Sequence, residues 1–179
     1  MTVDSVQSRS GVIAFKGSPM TLRGPELRPG DPAPQFLLTA SDLSPVNLDI
    51  LLDEGARAAL LIVVPSLDTN VCSLESRKFN SRLGDLPSSV RASVVSMDLP
   101  FAQGRWCSTQ GDIKLEMLSD YRDHSFGVNY GLLIEELGLL ARAVVVIGKD
   151  RLVKYVQIVP EVANEPDYDA ALKAAIAAG

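Results

Sequence analysis

The run Ala59-Leu60-Leu61-Ile62-Val63-Val64, apolar without interruption and closed by Pro65, constrains this chain more than any other feature. A strand with one wet face alternates polar and apolar residues, so an unbroken run reads as a central strand covered on both faces. A polar turn follows, Ser66 to Asn70, and then Val71, Leu74, Lys78, Phe79 and Leu83 recur at helical spacing. Thr69 is placed to cap that helix. A second buried strand is expected near Ala92 to Met97, ending at Asp98-Leu99-Pro100. Strand, turn, helix and strand in this order make a parallel, right-handed βαβ unit, so the fold class is α/β.

The remaining segments extend that unit. Val12, Ile13, Phe15, Met20 and Leu22 flank Gly17-Ser18-Pro19, which predicts an N-terminal hairpin turning at those three residues. Pro25, Pro29, Pro32 and Pro34 make 25–35 an extended connector. Short elements are expected at Leu48 to Leu52 (helix), Leu115 to Ser119 (strand) and Ser125 to Tyr130 (helix). The runs Ala143 to Ile147 and Leu152 to Val159 predict a second hairpin, which makes the central sheet mixed. Pro166 stands where a first helical residue would, ahead of Tyr168, Ala171, Leu172, Ala175 and Ile176 at helical spacing. A chain of 179 residues has the size of one ordinary domain. The expectation is a flexible 1–10 followed by a single domain over 11–179.

Composition removes several functions. Seventeen Lys and Arg against 22 Asp and Glu leave a net charge of −5, and no stretch gathers the basic residues, which disfavours nucleic acid as a partner. The longest apolar run, Ala58 to Val64, is far short of the roughly 20 residues that span a bilayer, so no membrane role is expected. The polar start, Met1 to Ser10, has no signal-peptide pattern, and a cytoplasmic location is the expectation. Neither GxGxxG nor a Walker pattern occurs, and the single histidine, His124, is not spaced from the cysteines as a metal ligand would be. No cofactor or metal is expected, and His124 reads as a solvated or capping residue.

The two cysteines, Cys72 and Cys107, are too few for a disulfide framework. Cys72 falls in the first turn of a helix leaving a central strand, where open α/β sheets present their ligand sites. Free N–H groups and the helix dipole favour an anion there, and a thiolate is an anion. Thr69 lies one turn earlier, with its hydroxyl in reach of the sulfur or of an incoming oxygen, and Pro65 limits water access without offering a donor. A buried apolar cysteine on an amphipathic helix with an ordinary threonine cap fits the same spacing. Cys107, after Pro100 and Gly104, is either a resolving thiol for Cys72 or a residue packed beside Trp106 and Phe101.

Pro65, Thr69 and Cys72 match the Pro-x-x-x-Thr-x-x-Cys pattern of the peroxiredoxins. The wider stretches Pro-Ser-Leu-Asp-Thr-Asn-Val-Cys, Asp-Leu-Pro-Phe-Ala-Gln-Gly-Arg-Trp-Cys, Ala-Arg-Ala-Val-Val-Val-Ile and Glu-Pro-Asp-Tyr-Asp-Ala-Ala-Leu resemble the bacterial thiol peroxidase branch, the atypical two-cysteine type. The resemblance covers nearly the whole chain beyond about residue 10 and implies a thioredoxin-like fold. It makes Cys72 the peroxidatic cysteine, Cys107 the resolving cysteine, and Pro65, Thr69 and Arg142 their catalytic neighbours. It also implies a hydroperoxide substrate, an intramolecular disulfide, reduction by thioredoxin and a homodimer. Asn70 stands where a small residue is expected, and Trp106 where a Phe-like one is.

Elementary chemistry agrees with those roles. Attack of a thiolate on a peroxide moves negative charge onto the leaving oxygen, which a fixed cation such as Arg142 and a hydroxyl such as that of Thr69 would stabilise. The resulting sulfenic acid condenses with a second thiol. Cys72 and Cys107 are expected to lie too far apart to bond in the reduced protein, with Phe101 to Gly111 as the part that opens. Leu67 and Phe101, apolar and next to the active-site turn, are candidates for a self-complementary contact. Two rival readings are a noncatalytic thioredoxin-fold protein with buried thiols and a thiol hydrolase using His124 as base.

Overall fold

The computed structural model describes residues 6–53 and 55–179. In chain order its strands are β1 (Ser8–Phe15), β2 (Ser18–Arg23), β3 (Leu38–Ala40), β4 (Pro45–Val46), β5 (Ala58–Val63), β6 (Val90–Ser96), β7 (Glu116–Ser119), β8 (Leu133–Ile134), β9 (Leu139–Leu140), β10 (Ala143–Gly148) and β11 (Val153–Ile158). The helices are α1 (Leu48–Leu51), α2 (Asn70–Ser81), α3 (Pro100–Gln110), α4 (Ser125–Asn129) and α5 (Tyr168–Ala178).

Every residue of β5 is buried, as the unbroken apolar run requires. Ala59, Leu61 and Val63 pack on one face with Leu51 of α1 and Phe126 of α4. Ala58, Leu60 and Ile62 pack on the other with Phe79 of α2, Trp106 of α3 and Leu172 of α5. The two-residue period of a strand sends alternate side chains to opposite layers, so a strand buried twice must be apolar throughout. Around β5 the sheet runs β11-β10-β5-β6-β7-β3-β4. β6 lies parallel to β5 with Val63 opposite Val95, and β10 lies antiparallel with Ala143 opposite Val63. The sheet is therefore mixed and flanked by helices on both faces. No helix among the described residues is long and apolar enough to cross a membrane.

A second sheet, β1-β2-β8-β9, holds the N-terminal hairpin against the body. Its turn lies at Lys16 and Gly17, at φ of 51° and 79°, and not at Gly17-Ser18-Pro19. Two successive positive φ values match the right-handed twist of the flanking strands, and Ser18 and Pro19 consequently fall within β2. Of the ten residues expected to be flexible, 1–5 lie outside the described residues and Ser8–Ser10 belong to β1. Arg9 donates from Nη2 to Gly131 O at 2.6 Å.

Two more expectations shift. Pro166 precedes the last helix instead of starting it: Asp167 is the N-cap, its carboxylate accepting from Ala170 N at 3.0 Å. The stretch after β6, noted in the sequence for its Pro and Gly and given no element, is the helix α3, with Pro100 at its start and Gly104 within it. Gly104 weakens the helical signal, and only Pro100, Gln103 and Trp106 of this helix are buried, too few to mark an apolar stripe in sequence.

Candidate active site

The site forms where β5 ends. Val64 continues the ladder by donating to Val95 O at 3.0 Å, and Pro65 follows it, buried. Asp98, at the end of the neighbouring strand β6, binds the turn that follows. Its carboxylate accepts from Ser66 Oγ at 2.7 Å, Leu67 N at 2.7 Å and Ser96 Oγ at 2.8 Å. The turn then closes on itself, since Thr69 donates from both N and Oγ1 to Ser66 O, at 3.2 and 3.0 Å. Thr69 has extended backbone, φ −112° and ψ 146°, and its Oγ1 accepts from Cys72 N at 3.4 Å. It is thus the N-cap foreseen for α2, but its hydroxyl meets the amide of Cys72 and not the sulfur.

Cys72 is fully buried, and the group that meets its sulfur comes from the far side of β5 in the sheet. Arg142 precedes β10, which pairs with β5, and its side chain is only 2% exposed. Its three nitrogens are each engaged: Nε donates to Val162 O at 2.8 Å, Nη2 to Cys72 Sγ at 3.2 Å, and Nη1 to Glu75 Oε2. Glu75, one helical turn after Cys72, is fully buried as well. Burial pushes its carboxyl up to about 7, against the opposing pull of the Arg142 charge. For Arg142 the loss of water would lower its basicity, yet the negative charge of Glu75 and of Cys72 outweighs it and holds the guanidinium protonated. The result is a fixed cation in a dry site, held in one orientation by a carbonyl and a carboxylate, with one N–H aimed at a helix-N-terminal sulfur.

The redoxin family matches the chain over residues 28–172. A thiol peroxidase from Halalkalibacterium halodurans is 53% identical across 93% of this chain and 98% of its own length. The chain belongs to the thiol peroxidase family of the peroxiredoxins. A second relative, the thiol peroxidase of Streptococcus sanguinis, is 48% identical over 91% of this chain and 98% of that one. Among solved structures, a peroxiredoxin-like protein from Aquifex aeolicus superposes with a TM-score of 0.82 at 40% identity, covering 92% of this chain and 94% of its own. The thiol peroxidase of Chromobacterium violaceum, at 22% identity, shares the fold with a TM-score of 0.80 over 90% of this chain and 93% of its own. The thioredoxin-like fold expected from the resemblance is therefore the one found, and this peroxiredoxin is an oxidoreductase.

Of the residues singled out in sequence, Pro65, Thr69, Cys72 and Arg142 gather at one end of the sheet. Cys107 is elsewhere: it sits on α3, half-buried and not in a disulfide, lining a groove of about 670 Å³ with Val46, Ile50, Ile113 and Met117. Burial pushes its thiol up. Leu67 is buried at 2% exposure, whereas Phe101 is 70% exposed, so only the second remains free to meet another molecule. His124 heads α4 in the left-handed region, φ 54°, where its side chain makes no capping bond. Sequence reasoning missed Glu75 and Asp98. Glu75 had a readable signal: with Cys72 and Phe79 it falls on the inward face of the helix, where an ionisable residue needs a partner.

Proposed function

We propose that this peroxiredoxin reduces hydrogen peroxide and organic hydroperoxides through Cys72, with Cys107 as the resolving thiol and thioredoxin as the electron donor. The observation that carries this reading is the 3.2 Å contact from Arg142 Nη2 to Cys72 Sγ at the N-terminus of α2. In the first step the Cys72 thiolate attacks the nearer peroxide oxygen. The S–O bond forms as the O–O bond breaks, and the departing oxygen takes a proton and leaves as water or an alcohol. Negative charge passes from sulfur to that oxygen, so the Arg142 guanidinium, fixed by Glu75 and Val162, stabilises the developing charge without having to reorganise. Thr69 caps the first turn of α2, its hydroxyl accepting from Cys72 N, and Pro65, buried at the end of β5, adds no backbone donor to compete.

In the second step the Cys107 thiol condenses with the Cys72 sulfenic acid, giving a disulfide and water. Cys72 lies in the first turn of α2 and Cys107 near the end of a separate helix, α3, so the disulfide requires α3 to move. A dithiol donor of the thioredoxin type then regenerates both thiols by exchange. A homodimer formed through exposed Phe101 and Leu99, beside the active-site turn, and a cytoplasmic location complete the reading. The test is to replace Cys107 by serine, add one equivalent of peroxide and trap with dimedone. An adduct on Cys72 is expected, and its absence would leave a thioredoxin-fold protein with inert buried thiols.

A further inference from the structure

Helix α3 carries Cys107 but is weakly built. It has no side-chain N-cap, contains Gly104, ends at Gly111 with φ 89°, and buries only three of its residues. Two of those anchor it through polar groups. Gln103 Nε2 donates to Ser96 Oγ at 3.1 Å and Leu118 O at 2.9 Å, which fixes the start of the helix to the sheet. Trp106, 5% exposed, donates from Nε1 to Ser73 Oγ at 3.1 Å, which fixes the middle of the helix to α2. Beyond the helix, Asn80 of α2 holds Asp112 O and Lys114 N at 2.9 and 2.7 Å. The ion pair of Arg105 with Asp68 also links the two helices, but both side chains are mostly exposed, and such pairs contribute little.

The Ser73–Trp106 bond differs from the others in its position. Ser73 follows Cys72 directly and Trp106 precedes Cys107 directly, so this one bond joins the immediate neighbours of both thiols. A movement that brings Cys107 to the sulfur of Cys72 shifts the backbone at 106–107 relative to 72–73, and the indole donor cannot keep its acceptor through it. We propose that the Ser73–Trp106 hydrogen bond is a clasp that holds the reduced, unbonded arrangement of the two cysteines and sets the rate of disulfide formation. The inference rests on the two-cysteine reading above.

The clasp acts on a branch point. The Cys72 sulfenic acid either condenses with the Cys107 thiol, releasing water, or is oxidised by a second hydroperoxide. In the second case an oxygen is transferred to sulfur, the O–O bond breaks, and a sulfinic acid and an alcohol or water result. Only the second route depends on peroxide concentration, so a tighter clasp leaves the sulfenic acid exposed to it for longer. Neither Ser73 nor Trp106 hydrogen-bonds the Cys72 sulfur, whose partner is Arg142 Nη2, so loosening the clasp should leave the first step unaffected.

The test compares wild type, Trp106→Phe, Ser73→Ala and the double variant by rapid quenching after peroxide, reading disulfide and sulfinate by intact mass. Phenylalanine keeps an aromatic ring and loses the donor, while alanine at 73 removes the acceptor and leaves the indole in place. Each single variant should form the disulfide about two- to tenfold faster, the factor expected for loss of one hydrogen bond. Each should also accumulate less sulfinate at a given peroxide concentration, with the initial oxidation of Cys72 unchanged. The double variant should be no faster than the faster single one, because both changes break the same bond. Unchanged or slower disulfide formation in Ser73→Ala overturns the clasp, and a faster Trp106→Phe alongside it would assign the effect to packing. Absence of any disulfide in the wild type, with sulfenic acid formed, removes the two-cysteine reading and the clasp with it.

Discussion

Replacing Arg142 by methionine leaves the Glu75 carboxyl fully buried with its cation gone and Oε1 already without a partner. Removing one member of a buried pair costs about 3–5 kcal/mol, because the remaining charge has neither water nor a counter-charge. The cost depends on pH in a definite direction. Burial raises the Glu75 carboxyl from 4.5 to about 7 even with Arg142 present, and once Arg142 is gone the neighbouring charge of Glu165 raises it further. A carboxyl whose folded value lies above its unfolded one contributes stability that is full below the unfolded value and is lost as pH rises through the folded one. The variant should therefore lie near wild type at about pH 5 and reach the full penalty at about pH 9. Urea unfolding followed by Trp106 fluorescence at both pH values measures this. The second half of the prediction is that Glu75→Gln combined with Arg142→Met recovers most of the lost stability at high pH while leaving the peroxidase rate low. An equal penalty at both pH values, or a double variant as unstable as Arg142→Met alone, would refute the view that Arg142 neutralises a buried carboxylate.

Other perturbations separate the parts of the site. Cys72→Ser should abolish peroxide reduction, because a hydroxyl supplies almost no anion at neutral pH; turnover at the wild-type rate would remove Cys72 from the mechanism. Thr69→Val should lose about 1 kcal/mol with the N-cap and slow the reaction with peroxide, while Thr69→Ser keeps both within a small factor, read by urea midpoints and single-turnover rates. Asp98→Ala leaves Ser66 Oγ, Leu67 N and Ser96 Oγ without their acceptor and should cost roughly 1.5–3 kcal/mol, with faster alkylation of Cys72 as the turn loosens. Protection of Cys72 equal to wild type would count against Asp98 as the anchor of the turn. Phe101→Asp should convert the proposed dimer to monomer in sedimentation velocity, and a wild type already monomeric at micromolar concentration would end that proposal.

How much of this was legible in the chain depended on how local the signal was. The unbroken run at 59–64, the break at Pro65 and the helical spacing after Thr69 each arise within about one element. They led to β5, the turn and α2 within one or two residues of where these lie. The same locality brought out Cys72 and its cap. Helix α3 escaped because its three buried residues, one of them the polar Gln103, are too few to mark an apolar stripe, and Pro100 and Gly104 read as punctuation. The short strands β8 and β9 escaped for a related reason. At two residues each they exist only because β2 offers an edge to pair with, and nothing within them announces it.

Arg142 marks the boundary between the two kinds of information. Its place before an apolar strand, in a stretch resembling a known family, was visible in the chain; its role was not. Seventy positions separate Cys72 from Arg142 and 67 separate Glu75 from Arg142, and only the antiparallel pairing of β10 with β5 brings the three together. Sequence alone determined the α/β class, the central strand and a cysteine at a helix N-terminus, since these follow from residue type and short periodicity. The tertiary structure decided which cation meets the sulfur, which carboxylate holds that cation, and that Cys107 waits on a separate helix fastened through Trp106 to Ser73. Those are contacts between elements, set by strand order and register, and no local pattern encodes them.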